Sequence, residues 1–229
     1  MLSFHRVLGA FLLASCSVVY SSQPTLASCG DKAKAGVDWS GCKKQNKILK
    51  GKDLRGAKFV GADFSASVLR NSTLDGTALE RAMLFRTTLA GASLKDANLT
   101  KALGPRANLE GADLTGANFT KSEFGRARFK GARLNKADMS KADVSRAVFA
   151  GADLSGVQLT YANVARADFR GATLNGVSFN GAYVLLTRFE DTDLSKTSGL
   201  TADQLAVACG NDKTVLPSGL TKPESWPCE

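Results

Sequence analysis

Nine cationic side chains recur along this chain at a spacing that could bring them together. Five arginines lie 20 residues apart, and a second series of one arginine and three lysines, also 20 residues apart, precedes them by five positions. The nine residues are Arg81, Lys101, Lys121, Lys141, Arg86, Arg106, Arg126, Arg146 and Arg166. Cations aligned in this way could bind a polyanion such as an anionic glycan, lipid head groups or nucleic acid.

The same charges can also be interpreted as a solvated face. Such a face keeps a protein soluble and blocks edge-to-edge association. Arginine stems can cover apolar surface, and Glu123 and Asp143 could neutralise part of the charge. Against this interpretation, like charges about 5 Å apart repel by a little under 1 kcal/mol per pair in water. A column of five is therefore costly unless an anion binds to it, and both interpretations stay open.

Four of the five cysteines form two widely separated pairs, Cys29 with Cys42 and Cys209 with Cys228. Both pairs lie outside the repeating part of the chain, one near each end. This arrangement favours two disulfide bonds formed in an oxidising compartment. A zinc site is the alternative, but pairs spaced 13 and 19 residues apart are poor matches to zinc-ligand spacing.

The residues of a catalytic site are missing. The single histidine, His5, lies in the predicted signal peptide, so the mature chain lacks the commonest general base and metal ligand. Acidic and amide residues just before apolar positions are better explained as solvent-facing, turn-bonding groups than as a metal site. Examples are Asp63, Asn98, Asp113 and Asp153. We therefore expect no enzyme activity, cofactor, metal or small-molecule substrate.

The elements that must position these residues follow from a period of five. From residue 49 to residue 194 every fifth residue is apolar except Gly104, and a small residue, usually Ala, stands two positions before each. Neither an α-helix nor a flat strand would point this series to one side. A chain that turns a corner once per pentapeptide would bury it. Four corners close a coil of 20 residues, and coils would stack at about 4.8 Å. We predict an all-β solenoid of about seven coils.

The break at Gly104 and Pro105 allows two interpretations. Gly104 replaces an apolar core residue, while the frame continues at Leu109. Leu103 could partly fill the gap, which would make the break a tolerated local distortion. The alternative is a kink that shapes a site beside Arg106.

Corner residues, two positions after each apolar residue, indicate the type of turn. On two of the four faces they are mostly Gly, Asn or Asp, such as Gly51, Asn71 and Asp96, which tolerate a positive φ. We expect type II turns there. On the other two faces the corners are the cations, and we expect turns that do not require a positive φ.

Several units resemble a known repeat motif. Ala62-Asp63-Phe64-Ser65, Ala112-Asp113-Leu114-Thr115-Gly116 and Ala152-Asp153-Leu154-Ser155-Gly156 resemble the A(D/N)LXX motif of pentapeptide-repeat proteins. The resemblance covers about two-thirds of the chain. It implies a right-handed quadrilateral β-helix, in agreement with the geometry above, and it implies almost nothing about function.

The chain start resembles an export signal. A short positive segment with Arg6 precedes an apolar run at residues 7–20 and a polar segment that ends at Ala27. The apolar run is too short to span a bilayer, and we place cleavage after Ala27. A lipoprotein signal, with Cys16 as the acylated residue, is the alternative.

The two ends of the solenoid require caps, because they would otherwise expose unpaired backbone and apolar core. Both tryptophans, Trp39 and Trp226, lie outside the predicted repeats. A capping box at residues 201–204 predicts a short helix over residues 202–209. The predicted divisions are a signal peptide at 1–27, an N-terminal cap at 28–48, the repeat β-helix at 49–196 and a C-terminal cap at 197–229.

Two functions remain. The first is a non-catalytic, monomeric scaffold or binding protein, periplasmic or secreted, whose cations contact an anionic envelope polymer or an unidentified protein. The second comes from the family resemblance, because some pentapeptide-repeat proteins mimic DNA and bind a topoisomerase. That role needs an acidic surface, whereas 29 cations and 21 anions remain after residue 27. The export signal also disfavours it, as it disfavours nucleic acid as the ligand. We expect no transmembrane segment in the mature chain.

Overall fold

The computed structural model describes residues 27–226 and residue 228. The backbone winds into four-sided coils in which each side contributes one parallel β-bridge to the residue 20 positions later. Every fifth residue from Asp38 to Ser178 forms such a bridge, except Thr173, and Asp193 pairs with Val215 instead. Across this described part of the chain, the β-structure consists of isolated bridges instead of longer strands. The fold is thus the predicted four-sided β-solenoid.

A β-turn closes every corner. The N–H of the small residue after each corner donates to the carbonyl of the preceding core residue, as from Ala57 to Leu54 at 3.1 Å and from Ala62 to Phe59 at 2.9 Å. From Gly36 to Asp191 every fifth residue has a positive φ, between 52° and 74°. A positive φ at the third residue of a turn is the mark of type II, so all four corners have the same kind of turn.

The expectation of a different turn at the cationic corners is wrong. Arg81, Arg86 and Lys101 have φ values of 57°, 52° and 58°, and the rest of both cationic series are also positive. The reason is geometric: a coil that closes after four equal sides needs the same turn at each corner, whatever side chain occupies it. A left-handed conformation costs a non-glycine residue roughly 1–2 kcal/mol, so these cations occupy strained positions.

The core is a single continuous column of large and small side chains. The apolar residue of each unit is buried, and so is the small residue two positions before it. Equivalent phenylalanines stack directly. The ring centroids of Phe129 and Phe149 are 4.8 Å apart, and those of Phe149 and Phe169 are 4.9 Å apart. All four sides of the rod therefore pack against the same continuous core.

Gly104 is filled from the next coil. A Cβ at Gly104 would lie 2.2 Å from Cε1 of Phe124, so the Phe124 ring occupies the space that a core side chain would take. Leu103 is only partly buried and forms the bridges to Met83 and Glu123. The expectation that Leu103 fills the gap is therefore wrong. The hydrogen-bond ladder continues through Gly104 without a break.

At the N-terminal end the coil pattern starts at Gly36, inside the range 28–48 that the sequence assigns to a cap. Trp39 and Lys44 continue the series of core positions toward the N-terminus. Lys44 is 8% exposed, its Nζ lies 3.6 Å from the Trp39 ring centroid, and it donates to the Cys29 carbonyl at 2.7 Å. Burial lowers the pKa of Lys44. The disulfide between Cys29 and Cys42 holds this end closed.

The C-terminal end is covered by a helix and a tryptophan. Helix α1 spans Ala202–Ala206, with a capping box between Thr201 and Gln204, and ends at Val207 instead of continuing to residue 209. Trp226 Nε1 donates to the Ala208 carbonyl at 2.7 Å. The bridges from Arg188 to Cys209 and from Asp193 to Val215 pair the last coil with the cap. The second disulfide joins Cys209 to Cys228.

Candidate anion-binding face

The nine predicted cations lie on the two edges of one side of the solenoid, here called the basic face. The basic face comprises residues 82–86, 102–106, 122–126, 142–146 and 162–166. Its lysine edge is the corner column Arg81, Lys101, Lys121 and Lys141. Its arginine edge is the corner column Arg86, Arg106, Arg126, Arg146 and Arg166. All nine side chains are exposed, so the structure brings the whole predicted set together on one surface.

Backbone hydrogen bonds hold the arginine edge in register. The N–H of Arg106 donates to Gly125 O at 3.0 Å, and those of Arg126 and Arg146 donate to Ser145 O and Ala165 O, both at 2.8 Å. Adjacent coils are about 4.8 Å apart in such a ladder. The edge from Arg86 to Arg166 crosses four coil intervals and is therefore about 19 Å long.

Among the residues that the structure describes, none of the nine cations forms an ion pair or a side-chain hydrogen bond. Arginines in the flat sides of the rod behave differently. Arg128 pairs with Glu110 at 2.6 Å, and Arg133 pairs with Asp113 at 2.8 Å. Arg170 likewise pairs with Asp168 at 2.7 Å. The edges of the basic face therefore carry the uncompensated positive charge.

The charge balance of the chain also shows an excess of cations. The sequence contains 30 lysines and arginines against 21 aspartates and glutamates, a net charge of +9. The basic face carries nine cations and two anions, Glu123 and Asp143, so its formal net charge is +7.

The two halves of the basic face differ in what lies between its edges. Beside the arginine edge, Pro105, Gly125 and Ser145 join Arg106, Arg126 and Arg146 in lining a shallow cavity of about 520 Å³. Between the two edges lie Glu123 and Asp143, and the Asp143 carboxylate accepts a hydrogen bond from its own turn, at Ser145 N. The acidic residues thus occupy the middle of the face, and small residues directly precede the arginines.

A second cavity, of about 400 Å³, lies where the arginine edge meets the C-terminal disulfide. Arg166 lines it together with Leu186, Arg188, Glu190, Cys209 and Cys228. Sequence reasoning missed both cavities. The first one had a signal, because Pro105, Gly125 and Ser145 are small or compact residues at one repeat position. The second depends on how the cap folds back, which no repeat predicts.

The acidic and amide residues that precede core positions serve the turns, as the sequence analysis expects. The expectation that they face solvent is wrong for Asp113, which is buried at 8% exposure. The side chains of Asp63, Asn98 and Asp153 accept from the backbone N–H two residues later at 2.9–3.0 Å. Asp113 does the same at 3.2 Å. Within residues 27–226 and 228, no group of three or more His, Cys, Asp or Glu side chains is arranged to hold a metal ion. No helix in that part of the chain has the length and apolar character needed to cross a membrane.

Comparison with known families identifies the class of protein. Residues 48–84 and 84–121 match the description "Pentapeptide repeats (8 copies)", and residues 105–179 and 122–198 match "Pentapeptide repeat region". The chain belongs to the pentapeptide-repeat family. None of the curated proteins compared with it is significantly similar in sequence.

A solved structure with a TM-score above 0.6 shares the fold. A trypsin-treated variant of QnrB1, a plasmid-mediated fluoroquinolone resistance protein, is similar with a TM-score of 0.63 and 19% identity, covering 82% of this chain and 93% of that chain. HetL, a pentapeptide repeat protein involved in heterocyst differentiation regulation in the cyanobacterium Nostoc sp. strain PCC 7120, is 24% identical. Its TM-score is 0.43, with 86% of this chain and 93% of HetL covered.

Proposed function

We propose that this protein is a non-catalytic, exported scaffold whose basic face docks an anionic polymer of the cell envelope. The observation that carries the proposal is the row of nine exposed cations on the two edges of the basic face, none of which is paired among the described residues. Unpaired cations arranged along one line raise the local concentration of a polyanion and stabilise its bound form. The solvated-face interpretation explains solubility but gives no reason for stacking cations at successive corners.

Export rests on two features. The first is the predicted signal peptide at 1–27, of which residues 1–26 lie outside the described part of the structure, as does Cys16, the residue of the lipoprotein alternative. The second is the pairing of Cys29 with Cys42 and of Cys209 with Cys228. Disulfide bonds persist in oxidising compartments such as the periplasm or the extracellular space. The proposed location is therefore periplasmic or secreted.

The alternative function, a DNA mimic that binds a topoisomerase, is opposed by charge. A surface that imitates DNA must be acidic, and the continuous surface feature of this rod is basic. The similarity in fold to QnrB1 does not offset this difference, because the two chains share 19% identity and only the fold is common.

The proposal is tested by retention on immobilised heparin, an anionic glycan, over a salt gradient. The variant R106Q/R126Q/R146Q should elute at clearly lower salt than the parent protein, because exposed charge pairs are screened over about 10 Å at 0.1 M salt. The control is K130Q/K136Q/K196Q, which removes the same number of exposed charges from other parts of the rod and should change elution little. Equal elution of the two variants would mean that only net charge matters.

The proposed compartment and partner are tested together in cells. A tagged protein should fractionate with the periplasm or the medium, and it should recover an anionic glycan from that fraction. Recovery in the cytoplasm would refute export, and a lipid adduct on Cys16 would show that the lipoprotein alternative is correct.

A further inference from the structure

We infer that the ligand binds along the arginine edge and not along the lysine edge. We also infer that the ligand is a single anionic glycan strand that lies along the rod. In this arrangement the strand follows the column of arginines and meets one guanidinium per coil. The inference rests on the proposed function and names the part of the basic face, and the kind of polymer, that carry it out.

The shape of the arginine half is the first argument. Arg106, Arg126 and Arg146 stand over the shallow cavity whose floor is Pro105, Gly125 and Ser145. Small floor residues let a chain approach the backbone while the guanidinium groups contact it from the edge. Guanidinium donates in a planar fork that matches carboxylate, sulfate and phosphate groups, whereas a lysine ammonium acts as a point charge.

The distribution of acidic residues is the second argument. Glu123 is exposed in the middle column of the basic face, and Asp143 lies in the same column one coil further on. The residues that directly precede the arginines are Phe85, Pro105, Gly125, Ser145 and Ala165. None of these five is acidic, and the one carboxylate that contacts them, Asp143, is engaged in a hydrogen bond from Ser145 N.

Backbone conformation is the third argument. The arginines hold positive φ values of 52° to 61°, a region that glycine enters without strain and arginine does not. One corner further along the coil, Gly111, Gly131 and Gly151 make the same turn with φ of 62° to 65°. Strain that the fold could avoid with glycine is a reason to look for a function of the side chain. The lysine edge has the same conformation, with φ of 57° to 59°, so the strain supports a function of both edges, and the cavity distinguishes the arginine edge.

The floor of the cavity distinguishes a glycan from other polyanions. Proteins that bind single-stranded nucleic acid provide aromatic side chains on which bases stack, and membrane-surface sites insert exposed apolar side chains between lipids. The residues lining the cavity are arginine, proline, glycine and serine. Phe85, which is 41% exposed beside Arg86, is one aromatic side chain at the end of the arginine edge, and the cavity lining adds none on which successive bases could stack. The lining offers charge, hydrogen bonding and space, which suit a flexible, hydrated and uniformly charged sugar chain.

The experiment compares three variants that keep the same fold. The first, R106G/R126G/R146G, removes the centre of the arginine edge, and the second, K101G/K121G/K141G, removes the same charge from the lysine edge. The third adds G111R/G131R/G151R to the first and so moves the column by one corner. A Cβ at those three glycines meets no atom within 4 Å, so the third variant has the composition, net charge and turn geometry of the parent.

The measurement is the affinity of each protein for heparin-derived oligosaccharides of increasing defined length. The first variant should lose about ten- to a hundred-fold in affinity, since each exposed charged contact contributes modestly and three are lost. Its salt dependence should fall by about two units of slope. The lysine-edge variant should lose about threefold or less, and the moved column should not restore binding. Affinity for the parent should rise with length and level off once the oligosaccharide spans about 19 Å.

The outcomes separate the two levels of inference. The arginine edge would be wrong as the binding site if the first and second variants lost equal affinity, or if affinity kept rising beyond the length of the arginine edge. Either result would leave the proposed function standing. Tighter binding of single-stranded oligothymidylate than of a glycan of equal length would overturn the choice of glycan. Restoration by the moved column, or no binding by the parent at physiological salt, would overturn the proposed function itself.

Discussion

The basic face and the side opposite to it are built on the same backbone and carry their charges in opposite ways. The opposite side, here called the paired side, comprises residues 112–116 and their equivalents in the other coils. Its corners are mostly glycines, such as Gly111 and Gly116, and its charges lie in the flat part of the side. Asp113 there pairs with Arg133 at 2.8 Å and with Lys95 at 3.5 Å. The basic face instead carries its cations at the corners, without acidic partners among the described residues.

The difference shows that position within the pentapeptide decides whether a charge is neutralised. Residues in the flat part have neighbours 2, 18 or 20 positions away, and acids at those positions pair with Arg170, Arg128 and Arg133. A corner residue such as Arg126 has Arg106 and Arg146 as its stacked neighbours. Placing cations at successive corners therefore creates a line of unpaired charge, and the predictions below break or sharpen that contrast.

The largest effect should come from the core that both sides share. Replacing Leu114 or Phe169 with Asp buries a charge without a partner at a position that is fully enclosed, and we expect a loss of about 5 kcal/mol or more, enough to unfold the protein. Thermal melting followed by circular dichroism measures it. Asn175→Asp, at the exposed position that follows core residue Leu174, is the control and should melt close to the parent. An unchanged melt for L114D would contradict the four-sided solenoid.

The next effect should appear only under the basic face. Gly104→Leu would drive a side chain into the Phe124 ring, whose Cε1 lies 2.2 Å from the added Cβ. Overpacking of this kind costs about 1–3 kcal/mol, measured as a lower urea midpoint with an unchanged slope. Adding Phe124→Ala should recover part of the loss by returning the space.

The double variant G104L/F124A is decisive because the effects of the two substitutions on stability should not be additive. Phe124→Ala alone should destabilise by leaving a cavity, so recovery in the double variant would measure the complementary fit of Gly104 and Phe124. If G104L is as stable as the parent, or if the two losses simply add, the ring does not fill the gap.

A smaller, pH-dependent effect should distinguish the paired side. Burial raises the pKa of Asp113, but hydrogen bonds from Thr115 and Arg133 outweigh it and hold the pKa at about 2, below the ordinary 3.8. The folded protein therefore gains stability from this carboxylate above pH 3.8 and loses it as the pH falls toward 2. The amount is about 1–2 kcal/mol.

Comparison of two variants tests this assignment. Asp113→Asn should destabilise the protein at pH 6 and reduce the difference in unfolding free energy between pH 5 and pH 2. The matched change on the basic face, Arg106→Gln, should leave that difference unaltered, because Arg106 has no carboxylate contact in the described structure. If D113N leaves the loss of unfolding free energy between pH 5 and pH 2 unchanged, Thr115 and Arg133 do not stabilise the Asp113 carboxylate.

Much of this architecture could be predicted from the sequence because the five-residue period leaves one solution. The buried series, the 20-residue register and the alignment of Arg86 with Arg166 all follow from counting. The sequence predicts the wrong turn at the cationic corners because arginine and lysine disfavour a positive φ, whereas closure of the coil requires it. The partner of Gly104 was missed for a related reason, since Leu103 is near in sequence while Phe124 is near in space.

The structure of the two ends of the rod could not be predicted from the five-residue period. The five-residue frame reaches position 44, but a lysine there gives no apolar signal, and its contacts with the Trp39 ring and the Cys29 carbonyl depend on how the N-terminal end folds. The place of Trp226 against Gly210, where an added Cβ would lie 2.2 Å from the ring, depends on how a non-repeating segment folds back. Single long-range contacts of this kind have no periodic signal in one sequence.

The smallest effect should be at the corners themselves, and its sign matters more than its size. Arg126→Gly relieves a left-handed conformation that costs roughly 1–2 kcal/mol, while the added freedom of the unfolded chain returns about 0.4–1 kcal/mol. The variant should therefore be as stable as the parent or up to about 1 kcal/mol more stable. The reverse change at an equivalent corner, Gly131→Arg, should destabilise by a similar amount, because it imposes the strain where the parent avoids it. Urea unfolding of both single variants measures the two values under one set of conditions. A large loss of stability in R126G would show that the arginine edge stabilises the folded rod, and the strain would then need no ligand to explain it.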